Sequence, residues 1–158
     1  MKALGSSSLG RAADLGPLFL RVGVGAVFAW HGWLKLDGGV ANFAAFLESL
    51  NVPAPEVVAW LQIIAEGVGG VLLILGLFTR FAVVPLIVVS IGALWLVKSS
   101  VGFVAPDAAG GELDVALLGG ELALLFLGPG RLSVDGMLGI EASATHLETP
   151  HRRPPVAA

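Results

Sequence analysis

Four long apolar stretches, separated by polar punctuation, organise the chain. Crossing ~30 Å of hydrocarbon takes about 20 helical residues, and each stretch is read against that length. The first covers 16–36; Pro17 suits the opening turn of a helix, and Asp37, Gly38 and Gly39 stop it. The second opens at "NVPAPE", where Asn51, Pro53 and Pro55 break the chain, and runs over 56–78. Glu56 suits a first helical turn. The third, 81–98, is nearly all apolar, with Pro85 close enough to its start to be tolerated. The fourth, 112–128, is short, begins acidic, and ends at Gly128, Pro129 and Gly130. Between the first two, Val40, Phe43, Phe46, Leu47 and Leu50 recur at helical spacing. They predict a short helix lying along the membrane surface, with a packed loop as the alternative.

The predicted fold is all-α: an integral membrane four-helix bundle over residues 16–136, between an N-terminal segment 1–15 and a disordered tail 137–158. Composition agrees. The chain of 158 residues is 56% hydrophobic and 13% charged, with mean hydropathy +0.88; a soluble domain carries about 25% charge. Lys2 and Arg11 precede the first apolar run, but that run carries Arg21 and lacks a small-residue cleavage site, so it reads as a retained span. Gly23, Gly25, Ala29 and Gly32, with Gly67, Gly69 and Gly70 and with Gly119, Gly120 and Ala123, allow close helix approach in lipid.

Charge sets orientation and excludes some partners. With four spans, one side collects Lys2, Arg11, Arg80, Arg131, Arg152 and Arg153 against Lys35 and Lys98 on the other. The positive-inside rule then places both termini in the cytoplasm of a multi-pass plasma-membrane protein. A net charge of −3 argues against nucleic acid. The absence of cysteine excludes disulfides, iron–sulfur clusters and thiolate-ligated metal. Haem has little to bind, since His146 and His151 lie in the tail and only His31 stands in an apolar segment. No metal site is expected.

Ionisable groups at membrane depth are costly and are functional candidates by default. At 1.5 Å per residue from the external end, His31 lies about 7 Å deep, Gln62 about 9 Å, Glu66 and Glu121 about 14 to 15 Å, and Arg21 about 21 Å. Gln62 and Glu66 share a helix face. Helical side chains lean toward their own N-termini, which turns His31 inward and Glu66 and Glu121 outward. Arg21, His31, Gln62, Glu66 and Glu121 are therefore expected to line one polar pocket, with His31 and Glu66 as its catalytic candidates. Bland readings stand beside this one: Arg21 pairing with Glu66 or Glu121, and His31 satisfied by Gln62 or by a carbonyl. Trp30 and Trp33 read as interfacial belt residues. Lys35, Lys98, Glu112 and Asp114 fall at the external rim, Lys98 and Glu112 as a rim pair. The pocket suits a small neutral or redox-active ligand such as a quinone, which needs protons on reduction.

Three motifs then resemble one family. They are "LRVGVGAVFAWHGWLKL" (20–36), "EGVGGVLLILGLFTR" (66–80) and "GPGRLSVD" (128–135), spanning about 115 residues. Together they are similar to the DoxX family of small membrane proteins, named for a subunit of thiosulfate:quinone oxidoreductase. The resemblance implies a quinone-linked or oxidative-stress role, with an oxidoreductase subunit as partner and no redox centre in this chain. It carries over Arg21, His31, Lys35, Glu66, Thr79, Arg80, Arg131 and Asp135, and implies that Thr79, Arg80 and Asp135 organise the cytoplasmic helix ends. Lys98 stands where many relatives have a histidine, and Glu112 fits the family acid of the fourth helix better than Glu121. A non-catalytic scaffold and a small-solute or proton pathway remain as alternatives, and a second copy of the chain as a further partner.

Overall fold

The computed structural model describes residues 15–104 and 110–140, which form helices and turns without a strand. Helix α1 spans Leu15–Asp37, α2 Val40–Ser49, α3 Pro55–Leu75, α4 Thr79–Ala93, α5 Gly111–Leu127 and α6 Val134–Leu138. Helix α4 continues through a π-helical turn, Leu94–Lys98, into a last turn, Ser99–Val101. Two helical stretches, Pro55–Leu75 and Thr79–Lys98, are long and apolar enough to cross a membrane. The segment 1–15 and the tail 137–158 fall mainly outside the described residues, although α6 reaches Leu138.

Local chemistry sets the boundaries. Helix α3 starts with Pro55 in its first turn and Glu56 beside it, where an absent N–H is harmless and a carboxylate faces the dipole. It stops at Leu75, three residues before the expected end, because Gly76 turns left-handed at φ 67°. The N–H groups of Gly76 and Leu77 then return to the carbonyls of Leu73 and Leu72, at 3.0 and 2.9 Å, which is a Schellman closure. The residues after Gly39 form a helix, not the alternative loop, and Ala44 and Leu47 pack it onto Ala59 of α3.

The four long helices run alternately up and down. Glycines bring α1 and α3 together: a Cβ on Gly32 would strike the backbone of Gly67, and one on Gly25 would lie 2.6 Å from the Gly70 carbonyl oxygen. The shared core comprises Val24, Phe28, Leu73, Val83, Leu86, Leu117 and Leu124. The outer surface is apolar as well, with Phe81 76% and Phe126 74% exposed. Helices apolar on all sides belong in lipid rather than at a water surface. All four tryptophans, Trp30, Trp33, Trp60 and Trp95, are exposed and lie toward the end of the bundle marked by Lys35. Arg21 marks the other end.

Candidate functional site

The Arg21 end is a latch between helix termini. Helix ends leave backbone groups without intrahelical partners, and this end supplies them. Buried Arg21 donates through Nη1 to Ile74 O at 2.7 Å and Leu73 O at 3.4 Å, and through Nη2 to Leu132 O. Asp135, also buried, accepts from Phe78 N at 3.0 Å, Thr79 N at 3.2 Å and Thr79 Oγ1 at 3.5 Å, and so caps α4. Arg80 donates through Nε to Leu125 O at 3.0 Å, at the end of α5. Ser133 closes the loop by donating to Gly130 O and accepting from Gly136 N. Arg131 is exposed. Arg21 thus serves carbonyls at this end and pairs with neither Glu66 nor Glu121, so the expected five-residue pocket does not form as one unit.

A different polar layer occupies the Lys35 end. Lys35 Nζ forms an ion pair with Glu66 Oε2, and Gln62 Nε2 donates to Glu66 Oε1 at 3.1 Å. Glu66 is 2% exposed and Lys35 21%, so the acid is sealed while its cation reaches the rim. Phe43 of α2 lies 5.2 Å from the Lys35 ammonium and adds a cation–π contact. Lys98, at the end of the π turn, lies 3.8 Å from Asp114, so Asp114 rather than the expected Glu112 takes that place. The Asp114 carboxylate interacts electrostatically with Lys98, His31 and Lys35 in decreasing order. Gln62 gives its bond to Glu66 instead of to the His31 imidazole. Glu112 has one buried carboxylate oxygen without a hydrogen bond.

Glu121 stands apart from both groups. It is fully buried; its Oε1 accepts from Ser90 Oγ at 2.9 Å, while Oε2 has no partner. Among the described residues no cluster of three or more His, Asp or Glu is arranged to hold a metal.

Beside the polar layer, an apolar groove of about 490 Å³ opens between α2, α3 and α4. Phe43, Leu47, Leu61, Val88 and Leu96 line it, and Gln62 is the one polar residue in its wall. Gln62 therefore belongs to both the groove and the Glu66 network. Sequence reasoning had no view of the groove, because apolar residues facing a gap look like apolar residues facing a core. Ser90 and Asp114 carried weak signals: one is a hydroxyl in an apolar run, the other lies two helical turns before Glu121.

An all-helical body with an apolar exterior, two span-length helices and a buried ion-pair network defines a helical membrane protein. The chain belongs to the DoxX family, whose model matches residues 16–99. It is 34% identical over 134 residues to an uncharacterized membrane protein of Mycobacterium tuberculosis, covering 79% of this chain and 82% of that one. It is 32% identical to CatD of Bacillus subtilis, a protein provisionally named an oxidoreductase, over 80% of this chain and 90% of the other. It is 27% identical to YphA, an inner membrane protein of Escherichia coli, over 85% of this chain and 99% of the other. No solved structure matches it.

Proposed function

We propose that the protein crosses the plasma membrane four times as an up-and-down bundle, with both termini cytoplasmic, and serves there as the quinone-interacting subunit of an oxidoreductase. The apolar exterior, the tryptophans gathered at one end and the basic residues gathered at the other support that placement. The provisional oxidoreductase name of CatD supports the redox reading.

One observation carries the site: Gln62 lines the apolar groove and is hydrogen-bonded to a buried Glu66 that Lys35 neutralises. A quinone presents carbonyl oxygens to hydrogen-bond donors and exchanges protons and electrons in equal number. Gln62 has a second N–H and an amide oxygen to offer. Glu66 is the proton acceptor or donor next to it, and Lys35 balances its charge when ionised. His31 and Asp114 extend the protonatable groups toward the rim. Electrons are assigned to a partner subunit, because a chain without cysteine cannot ligate an iron–sulfur cluster through thiolates.

A scaffold role is the second reading, favoured by the Arg21 end, where the motif residues Arg21, Thr79, Arg80 and Asp135 all serve helix termini. Purification in mild detergent, solvent extraction and quantification of bound quinone separate the two. Wild type is expected to retain quinone, and Gln62→Leu, Glu66→Gln and His31→Ala to lose it while staying folded. Folded wild type with no quinone above the lipid background overturns the redox reading.

A further inference from the structure

Beyond α5 the chain stays apolar where it should be meeting water. Leu132, Met137, Leu138 and Ile140 are exposed, Met137 to 83%, while Ser133 and Asp135 between them are buried. Hydrogen bonds fix the height of this segment. Asp135 N donates to Gly76 O at 2.9 Å, the Asp135 carboxylate accepts from Phe78 N and Thr79 N, and Leu132 O accepts from Arg21. Residues 132–135 therefore lie level with the end of α3 and the start of α4. At that level the bundle still carries its lipid-facing surface, since Phe78 and Phe81 of the α4 start and Phe126 and Leu127 of the α5 end are exposed. The apolar side chains around α6 continue that surface past the helix ends. Charge points the same way. Among the described residues near this end, Arg21, Arg80 and Arg131 stand against one acid, Asp135, and Arg131 is exposed.

We propose that residues 131–140 form a foot set into the lipid–water boundary, with Leu132, Met137, Leu138 and Ile140 among the first acyl carbons and Arg131 on the phosphate of an anionic phospholipid. The inference rests on the membrane-spanning reading; it is independent of the quinone reading and of which end is cytoplasmic. A contiguous exposed apolar patch marks a membrane or a protein contact, and short amphipathic segments settle in the headgroup region by burying such a patch. Protein covers suit this one poorly. The chain that follows, 141–158, is polar and proline-rich, with Leu147 and Val156 as its only large apolar side chains. A stable protein interface takes about 800 Å² from each partner, more than four side chains supply. A basic residue beside an anionic surface adds about fivefold to affinity, which is the share assigned to Arg131.

The absence of cysteine allows one nitroxide label per protein. Full-length Met137→Cys is labelled in vesicles of phosphatidylglycerol and phosphatidylcholine, with Phe81→Cys as the lipid-facing reference and Asp37→Cys as the aqueous one. Collisions of the label with oxygen, which dissolves in lipid, are compared with collisions with a water-soluble nickel chelate. The ratio at position 137 is expected to fall nearer the Phe81 value than the Asp37 value. A ratio equal to that at Asp37 overturns the foot. A label shielded from both reagents also overturns it; release on deleting 141–158 then names the tail as the cover, and persistence names another protein surface. A Phe81 label reached by nickel overturns the membrane-spanning reading itself. The headgroup is tested separately, by quantifying the phospholipid that stays with the protein when equimolar vesicles are dissolved in mild detergent. Wild type and Arg131→Lys are expected to prefer phosphatidylglycerol, and Arg131→Gln to lose about fivefold of that preference with an unchanged circular dichroism spectrum. No preference in wild type, or one that Arg131→Gln leaves intact, overturns the headgroup assignment.

Discussion

Breaking the Lys35–Glu66 pair from its two sides should give unequal costs. In Lys35→Met the charge left behind belongs to Glu66, 2% exposed and supported only by Gln62. Removing one partner of a buried ion pair costs about 3–5 kcal/mol, and the 21% exposure of Lys35 argues for the lower end, about 3 kcal/mol. Glu66→Gln leaves an ammonium that already reaches the rim and keeps an amide oxygen near Gln62, so its cost is about 1 kcal/mol. In the double variant no buried charge remains, and the loss should return to within about 1 kcal/mol of Glu66→Gln. The resulting interaction energy is about 3 kcal/mol in magnitude in a double-mutant cycle. Equilibrium unfolding in mixed micelles with rising sodium dodecyl sulfate, followed by circular dichroism, measures all four proteins. Glu66→Gln less stable than Lys35→Met, or an interaction energy below about 0.5 kcal/mol, would refute the reasoning.

Asp135→Ala strips three acceptor contacts from the start of α4 and should cost about 3 kcal/mol, with Asp135→Asn costing roughly half of that; the same unfolding titration checks the order. Glu121→Gln preserves the bond from Ser90 and removes no ion pair, so its stability should stay within about 1 kcal/mol of wild type; a larger loss would reveal a cation acting on the carboxylate. Because the chain has no cysteine, single cysteines at Asp37 and Met137 can be labelled with an impermeant maleimide on intact cells. Labelling at 37 and protection at 137 is the expected result, and the reverse would invert the proposed orientation.

Helix positions were legible because polar and glycine breaks bracket the apolar runs. Asp37, Gly38 and Gly39 end α1 within a residue of the expected place. The end of α3 was overshot because Leu77 and Phe78 prolong the apolar run, while the positive φ of Gly76 ends the helix in space. Depth along a helix was readable, but choice of neighbour was not. Arg21 looked like a partner for an acid because carbonyl acceptors leave no mark in a sequence, and its acceptors are Leu73, Ile74 and Leu132. Gln62 and Glu66, spaced four apart, could be read as neighbours, whereas Lys35 meeting Glu66 and Lys98 meeting Asp114 depend on how separate helices face each other and on the π turn. His31 remained ambiguous for the same reason, since the neighbours of its side chain depend on how separate helices face each other.

The latch at the Arg21 end also has a consequence for biosynthesis. Arg21 and Leu132 are 111 positions apart, and the cap on α4 comes from Asp135, beyond the last long helix. During vectorial synthesis the first helices are made long before their terminal partners exist. A nascent chain that ends at Leu127 carries Arg21 without its Leu132 acceptor and α4 without its Asp135 cap. The contacts made by residues 128–135 are therefore the last parts of the latch to become available: Arg21 gains its Leu132 acceptor and α4 its Asp135 cap only after that segment has been made.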